Sequence, residues 1–152
     1  MYIKIKKVRD GFTLMKKSTE TAVAYDLVLP DETFIHHGRE IVPLGFKMEI
    51  EPGYEAKIEP RSGFSSKGIL DLGGIRRDAD VLVGKIDPDY RGEVGVMIKS
   101  NETAEFVLPA GTRIAQLTIY KVETPDFEFV DELSETVRGE GGFGSTGTIY
   151  SK

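Results

Sequence analysis

Apolar and polar residues alternate along this chain with a period of two, in short runs broken by turn-forming residues. Met1–Val8 sets Tyr2, Lys4 and Lys6 against Ile3, Ile5 and Lys7, which predicts a first strand. The same reasoning predicts strands over Ala24–Leu29, Arg39–Pro43, Gly45–Ile50, Tyr54–Glu59, Val94–Lys99, Ala104–Val107 and Arg113–Val122. Pro30-Asp31-Glu32, Glu51-Pro52-Gly53, Asp87-Pro88-Asp89 and Leu108-Pro109-Ala110-Gly111 supply the turns between them. Helix is scarce: Phe64–Gly68 could form one or two turns, too few to stand without packing. Strands this short at this spacing predict an all-β barrel or double-sheet sandwich.

The C-terminal end changes character. From Asp131 the chain reads DELSETVRGEGGFGSTGTIYSK, rich in glycine and poor in core-forming residues. Composition alone predicts a flexible arm over 131–152, outside a core spanning 1–130. Yet the arm carries a cation, an aromatic ring and two hydroxyls in Arg138, Phe143, Ser145 and Thr146, a mixture an inert linker does not need.

Composition then narrows the function. The 152 residues are 39% hydrophobic and 30% charged, ordinary for one globular domain. A net charge of -5 argues against a nucleic-acid polymer as partner, because duplex binding needs a concentrated basic face. A small phosphate ligand stays compatible, since a few local arginines can hold it. With no cysteine there is no disulfide, thiolate nucleophile or cysteine-based zinc site. His36 and His37 stand outside any metal-ligand spacing and are read as part of an exposed turn. The N-terminus lacks the apolar run of a signal peptide and no stretch approaches the ~20 apolar residues of a membrane span. No membrane association is expected, and cytoplasm is the default location, with nucleus or organelle left open.

Four polar, glycine-containing blocks interrupt the strand pattern. Glu59-Pro60-Arg61-Ser62-Gly63 joins an arginine fork and a hydroxyl to the start of a short helix or turn, which suits an anion; the plain alternative is a capped turn with a surface arginine. Gly84-Lys85-Ile86-Asp87-Pro88-Asp89-Tyr90-Arg91-Gly92 crowds carboxylates and a tyrosine into a turn. Asp87 could take a proton from an attacking water and Tyr90 could pack on a sugar, while a tight surface hairpin explains the block equally well. In Gly111–Leu117, Ile114, Ala115 and Leu117 suit a buried strand, so Gln116 is the anomaly and is expected to meet backbone or ligand. The last block is Arg138–Gly147, whose glycines allow close backbone approach; it lacks the lysine of a GxxxxGK[ST] phosphate loop. Together with Asp26 these blocks suit a nucleoside triphosphate, but spacing does not give the base, the sugar or the bond cut.

Taken in order, Ala24-Tyr25-Asp26-Leu27, Pro60-Arg61-Ser62-Gly63, Gly84–Gly92, Gly111–Leu117 and Arg138–Gly147 resemble the five motifs of the homotrimeric dUTPase family, and the similarity runs from about Lys4 to Gly147. The resemblance implies a jelly-roll-like β-barrel, assembled as a homotrimer whose sites are shared between subunits and closed by a flexible arm. It implies hydrolysis of dUTP to dUMP and pyrophosphate, with Mg2+ on the phosphates. Carried over by position, Asp87 orients and activates the attacking water. Arg61, Ser62, Gly63, Gln116, Arg138, Ser145 and Thr146 bind phosphate. Main-chain groups of Gly84, Lys85 and Ile86 read uracil, Tyr90 packs under deoxyribose, and Phe143 stacks over the base. Asp26 matches an acidic position near the metal's water shell.

Three positions depart from the family's usual text. Ala24 stands where glycine is common, and Lys85 stands where an apolar residue is common. The stretch 68–83, GILDLGGIRRDADVLV, is longer than usual and is expected to leave the barrel as a polar loop, either as surface decoration or to shape the site or a contact for a protein partner. Two other readings compete. A dCTP deaminase of the same fold would carry a glutamate base beside its second motif, where this chain has Phe64-Ser65-Ser66-Lys67. A regulatory protein on the same scaffold would be favoured by loss of Asp87, Tyr90 or the arm, all of which are present.

Overall fold

The computed structural model describes residues 1–150, so the last two positions of the arm expected over 131–152 lie outside the described residues. The chain is nearly all β. It runs β1 (Lys4–Lys7), β2 (Tyr25–Val28), β3 (Thr33–Ile35), β4 (Gly38–Pro43), β5 (Phe46–Glu49) and β6 (Tyr54–Glu59), then one short helix α1 (Ser62–Lys67). It continues with β7 (Ile69–Leu70), β8 (Arg76–Arg77), β9 (Ala79–Leu82), β10 (Gly84–Ile86), β11 (Gly95–Ser100), β12 (Phe106–Leu108) and β13 (Arg113–Lys121). Among the described residues no helix is long and apolar enough to cross a membrane.

Every pairing between these strands is antiparallel. One sheet has the order β10-β6-β13-β2, a second has β4-β11-β9, and β1–β5, β12–β3 and β7–β8 form two-stranded pieces. Such interleaved antiparallel sheets give a jelly-roll-like fold, as the family resemblance implies and in agreement with the strand pattern. Period-two burial shows why the sequence takes it. In β11 Val96, Ile98 and Ser100 point inward while Gly95, Met97 and Lys99 do not, and in β6 Ala56 and Ile58 alternate with Glu55, Lys57 and Glu59. These inward rows join Leu27, Phe46, Leu108, Ile114 and Leu117 in one apolar core. α1 begins two residues before the helix expected from the sequence; Phe64 drops into the core and holds it.

The stretch 68–83 differs from its sequence expectation. It is not a loop leaving the barrel but the β7–β8 hairpin followed by β9, which pairs with β11 from Met97–Leu82 to Ser100–Ala79. Ile69, Ala79 and Val81 are core residues. Asp71 organises the hairpin turn. Its Oδ1 accepts from the Gly73 and Ile75 N–H groups at 2.9 and 2.8 Å, and its Oδ2 accepts from Arg77 Nε at 2.8 Å. The Ile75 N–H and then the Arg77 guanidinium hold its carboxyl below the usual carboxylate range. A carboxyl with a depressed folded pKa stabilises the folded state fully above the ordinary value of about 3.9 and loses that contribution as pH falls through the lower folded value. Asp71→Asn should therefore melt earlier than the parent at pH 7, and the gap should close in melts run at progressively lower pH below about 4.

Beyond Lys121 the chain adopts neither helix nor strand through Tyr150. Phe127, Phe129, Val137 and Phe143 are fully or almost fully exposed.

Candidate active site

β13 lies between β2 and β6, and its register places Gln116 between Asp26 on one side and Glu59 on the other. The chain leaves β6 at Glu59 and turns through Pro60 into α1, which brings Arg61 back over Asp26. Asp26, only 9% exposed, pairs its carboxylate with Arg61, whose Nε lies at 3.0 Å, and with Arg113, whose Nη1 lies at 3.5 Å. Arg61 also reaches the Arg113 carbonyl at 3.4 Å. Ser62 and Gly63 lie exposed beside this pair at the start of α1. Three of the five motifs thus converge at one end of the sheet, on two guanidinium groups, a hydroxyl and a carboxamide.

Gln116 is partly exposed, so its carboxamide is available to a ligand. Asp26, expected near a metal's water shell, has an arginine against each of its oxygens and orients Arg61. Arg113 was missed as a site residue: it lies within a quoted motif, but the register shift between Arg113 and Ala115 that accompanies its approach to Asp26 has no signal in the alternation.

The third motif stands apart. β10 pairs with β6 through Gly84–Ile58, Lys85–Lys57 and Ile86–Ala56, so the Ile86 row lies three rows, about 10 Å at roughly 3.3 Å per residue, from the row of Gln116 and Glu59. Asp87 continues away from that row, exposed, with its carbonyl accepting the Tyr90 N–H at 3.1 Å. A cavity of about 200 Å³ opens between β10 with its following turn and β11, lined by Gly84, Lys85, Ile86, Tyr90, Val94 and Met97 among others. Its walls combine an apolar floor with main-chain groups of β10 and the edge of a tyrosine ring, a lining suited to a small heterocycle on a sugar. The Lys85 side chain turns outward onto Glu55 Oε2 at 2.7 Å, so only its main chain belongs to the cavity's chemistry.

The fifth motif touches neither group. Arg138, Phe143, Ser145 and Thr146 are exposed, and Arg138 Nε donates to the Gly141 carbonyl of the same arm at 2.8 Å. The arm is a succession of turns, with Gly139, Gly144 and Gly147 at positive φ. Within one chain the predicted site residues therefore form three separate parts: an arginine cluster, a tyrosine-lined cavity and an extended arm.

The class is a jelly-roll-like all-β domain that carries an arginine cluster at one end of a sheet and a tyrosine-lined cavity apart from it. Comparison with known proteins makes it specific. The dUTPase family model matches residues 10–147, and the chain belongs to that family. It is 39% identical over 147 residues to a deoxyuridine 5'-triphosphate nucleotidohydrolase of Solanum lycopersicum, covering 96% of this chain and 82% of the relative. A protein of the same designation from Paramecium bursaria Chlorella virus 1 is 37% identical over 144 residues, covering 94% and 96%. Among solved structures, a variant of Staphylococcus bacteriophage 80alpha dUTPase with dUpNHpp aligns with a TM-score of 0.81 at 24% identity, over 97% of this chain and 99% of that one. A phage phi11 dUTPase variant, described for its coordination of a structural Mg(II) ion, aligns with a TM-score of 0.74 at 19% identity, over 87% and 98%. At these identities the two structural likenesses show the fold alone.

Proposed function

We propose that the chain hydrolyses dUTP to dUMP and pyrophosphate at sites assembled from three copies of itself. Family membership supports the substrate. The observation that carries the assembly is the separation, inside one chain, of the Arg61 cluster, the Asp87–Tyr90 hairpin and the arm. A nucleoside triphosphate needs all three at once, and neighbouring copies can supply what one copy holds apart. An apolar depression of about 450 Å³, lined by Ile3, Leu14, Met15, Val23 and Ile119 among others, supports association between copies; Leu14 and Val23 are 66% and 81% exposed on its rim.

In this reading main-chain groups of Gly84–Ile86 bind the uracil edge and the Tyr90 ring packs under deoxyribose. Arg61, Ser62, Gly63 and Gln116 hold the phosphates, with Asp26 fixing the direction of Arg61. Asp87 orients a water in line with the α-phosphorus and takes its proton as the bond to pyrophosphate breaks. The arm of a further copy brings Arg138, Ser145 and Thr146 to the outer phosphates and lays Phe143 over the base, excluding bulk water.

Among the described residues no group of three or more His, Cys, Asp or Glu side chains could hold a metal ion. The Mg2+ of this reading would sit on the phosphate oxygens and keep its waters, a role that does not call for a protein cage. When bound it would neutralise charge across the phosphates. Asp26 would meet it through water only, because two guanidinium groups already cover its oxygens.

Pyrophosphate release from dUTP, UTP, dTTP and dCTP, with and without Mg2+, tests base, sugar, bond and metal together. Fast release from dUTP alone, dependent on Mg2+, is expected. Ammonia from dCTP, or equal release from UTP, would contradict the reading. Tyr90→Ala should narrow the preference for dUTP over UTP by about tenfold or more, because the ring no longer bars a 2′-hydroxyl.

A further inference from the structure

Tyr90 does not hold its own position. The residue is 45% exposed in the turn after β10, and its hydroxyl donates to the Glu93 carbonyl at 3.0 Å, across Gly92. A Cβ on Gly92 would lie 2.3 Å from that hydroxyl, so only glycine lets the ring fold down this far. The place of the ring is thus set by the place of the Glu93 carbonyl.

Glu93 is in turn fixed from outside the five motifs. Its Oε1 accepts from Arg9 Nε at 2.8 Å and from the Gly45 N–H at 3.0 Å. The Gly45 carbonyl accepts from the Val8 and Arg9 N–H groups at 2.9 and 3.2 Å, closing a ring between the two segments. Gly45 sits at φ +83, and a Cβ there would lie 3.0 Å from Arg9 Cβ, so the close approach depends on glycine. On the far side Val94 donates to the Phe46 carbonyl and accepts from Leu44 N–H, at 2.8 and 2.9 Å. The Arg9 guanidinium holds the Glu93 carboxyl below the usual carboxylate range, so the pair remains charged at neutral pH.

We infer that Arg9 is a positioning residue for sugar selection: through Glu93 it sets the height of the Tyr90 ring and so helps decide between deoxyribose and ribose. This rests on the assignment of Tyr90 to the sugar made above. The ion pair is partly exposed, with side chains 43% and 28% accessible, so its worth lies in geometry rather than in net stability. Arg9 lies in the turn after β1, far from Asp87 in sequence, and it is not among the cavity's lining residues.

The test is kcat/KM for dUTP and for UTP, measured on the parent, Arg9→Ala, Arg9→Lys, Tyr90→Ala and the Arg9→Ala/Tyr90→Ala double variant, with thermal melts alongside. Arg9→Ala should lower the dUTP-to-UTP ratio by about tenfold, chiefly through KM, with kcat for dUTP little changed. Arg9→Lys should restore most of the ratio, since an ammonium can reach the same oxygen. The double variant should discriminate no worse than Tyr90→Ala alone, as expected for residues acting in series. A general loss of folded protein would scale both nucleotides equally and leave the ratio where it was. An unchanged ratio in Arg9→Ala, with the ratio lost in Tyr90→Ala, overturns the inference and leaves the sugar assignment standing. An unchanged ratio in Tyr90→Ala overturns both.

Discussion

Asp87→Asn should lower turnover of dUTP by about 10²–10⁴-fold, the usual worth of a positioned general base, while dUTP still binds nearly as tightly as to the parent. The substitution keeps the size of the side chain and one of its acceptor oxygens, and it removes the charge and the ability to take a proton. The turn should survive it, because the bond that shapes it runs from the Tyr90 N–H to the Asp87 carbonyl and does not involve the side chain. Nucleotide affinity should survive as well, since Arg61, Gln116, the main chain of Gly84–Ile86 and the arm provide the grip. Single-turnover pyrophosphate release beside equilibrium binding of a non-hydrolysable dUTP analogue separates the two quantities. Turnover equal to the parent's would remove Asp87 from the chemistry.

Ending the chain after Val137 should leave a folded, associated protein that turns over dUTP at least about 10²-fold more slowly, the cost of losing preorganised charge at the phosphates. The segment removed is exposed and makes its hydrogen bonds mostly within itself, for example from Arg138 Nε to the Gly141 carbonyl. It contributes no residue to the apolar core. The thermal melt and the oligomeric state should therefore match the parent's. The catalytic loss follows from removing Arg138, Phe143, Ser145 and Thr146 together. A melt that collapses on truncation would instead give the arm a structural task.

The legible parts of the fold are those in which side chains alternate over four residues or more. β1, β2, β5, β6 and β13 fall within the segments the alternation predicts, and β4 and β11 overrun theirs by one residue; the alternation is clearest in β5, β6 and β11, where every second residue is the more buried. β3, β7 and β8 are two or three residues long, too short for periodicity to register. The stretch 68–83 looked like a polar loop because Arg76, Arg77, Asp78 and Asp80 dominate its text. Its burial is confined to Ile69, Asp71, Ala79 and Val81, and the aspartate earns its buried place by three hydrogen bonds that only a folded turn supplies.

The site was legible as an inventory and illegible as an arrangement. Arg61, Asp87, Tyr90 and Gln116 could be picked out by residue type and motif order, yet nothing in their spacing says that Asp26 and Arg61 meet at 3.0 Å while Asp87 follows the end of β10 that lies farther from the Gln116 row. Long-range register decides that, through the pairing of β13 with β2 and β6. Arg9 and Glu93 illustrate the same limit, being 84 positions apart and joined only in the folded chain.

Shared sites can be tested by joining two defects. Full-length Asp87→Asn chains and chains ending after Val137 would be co-expressed with different affinity tags, and molecules carrying both would be isolated through the two tags in turn. Each parent assembly should be nearly inactive towards dUTP. The mixed assembly should recover a substantial fraction of normal turnover, because an intact arm from one chain can close over an intact Asp87 on another. Mixed assemblies as inactive as their parents would show that each chain closes its own site, and the division of the site between copies would be wrong.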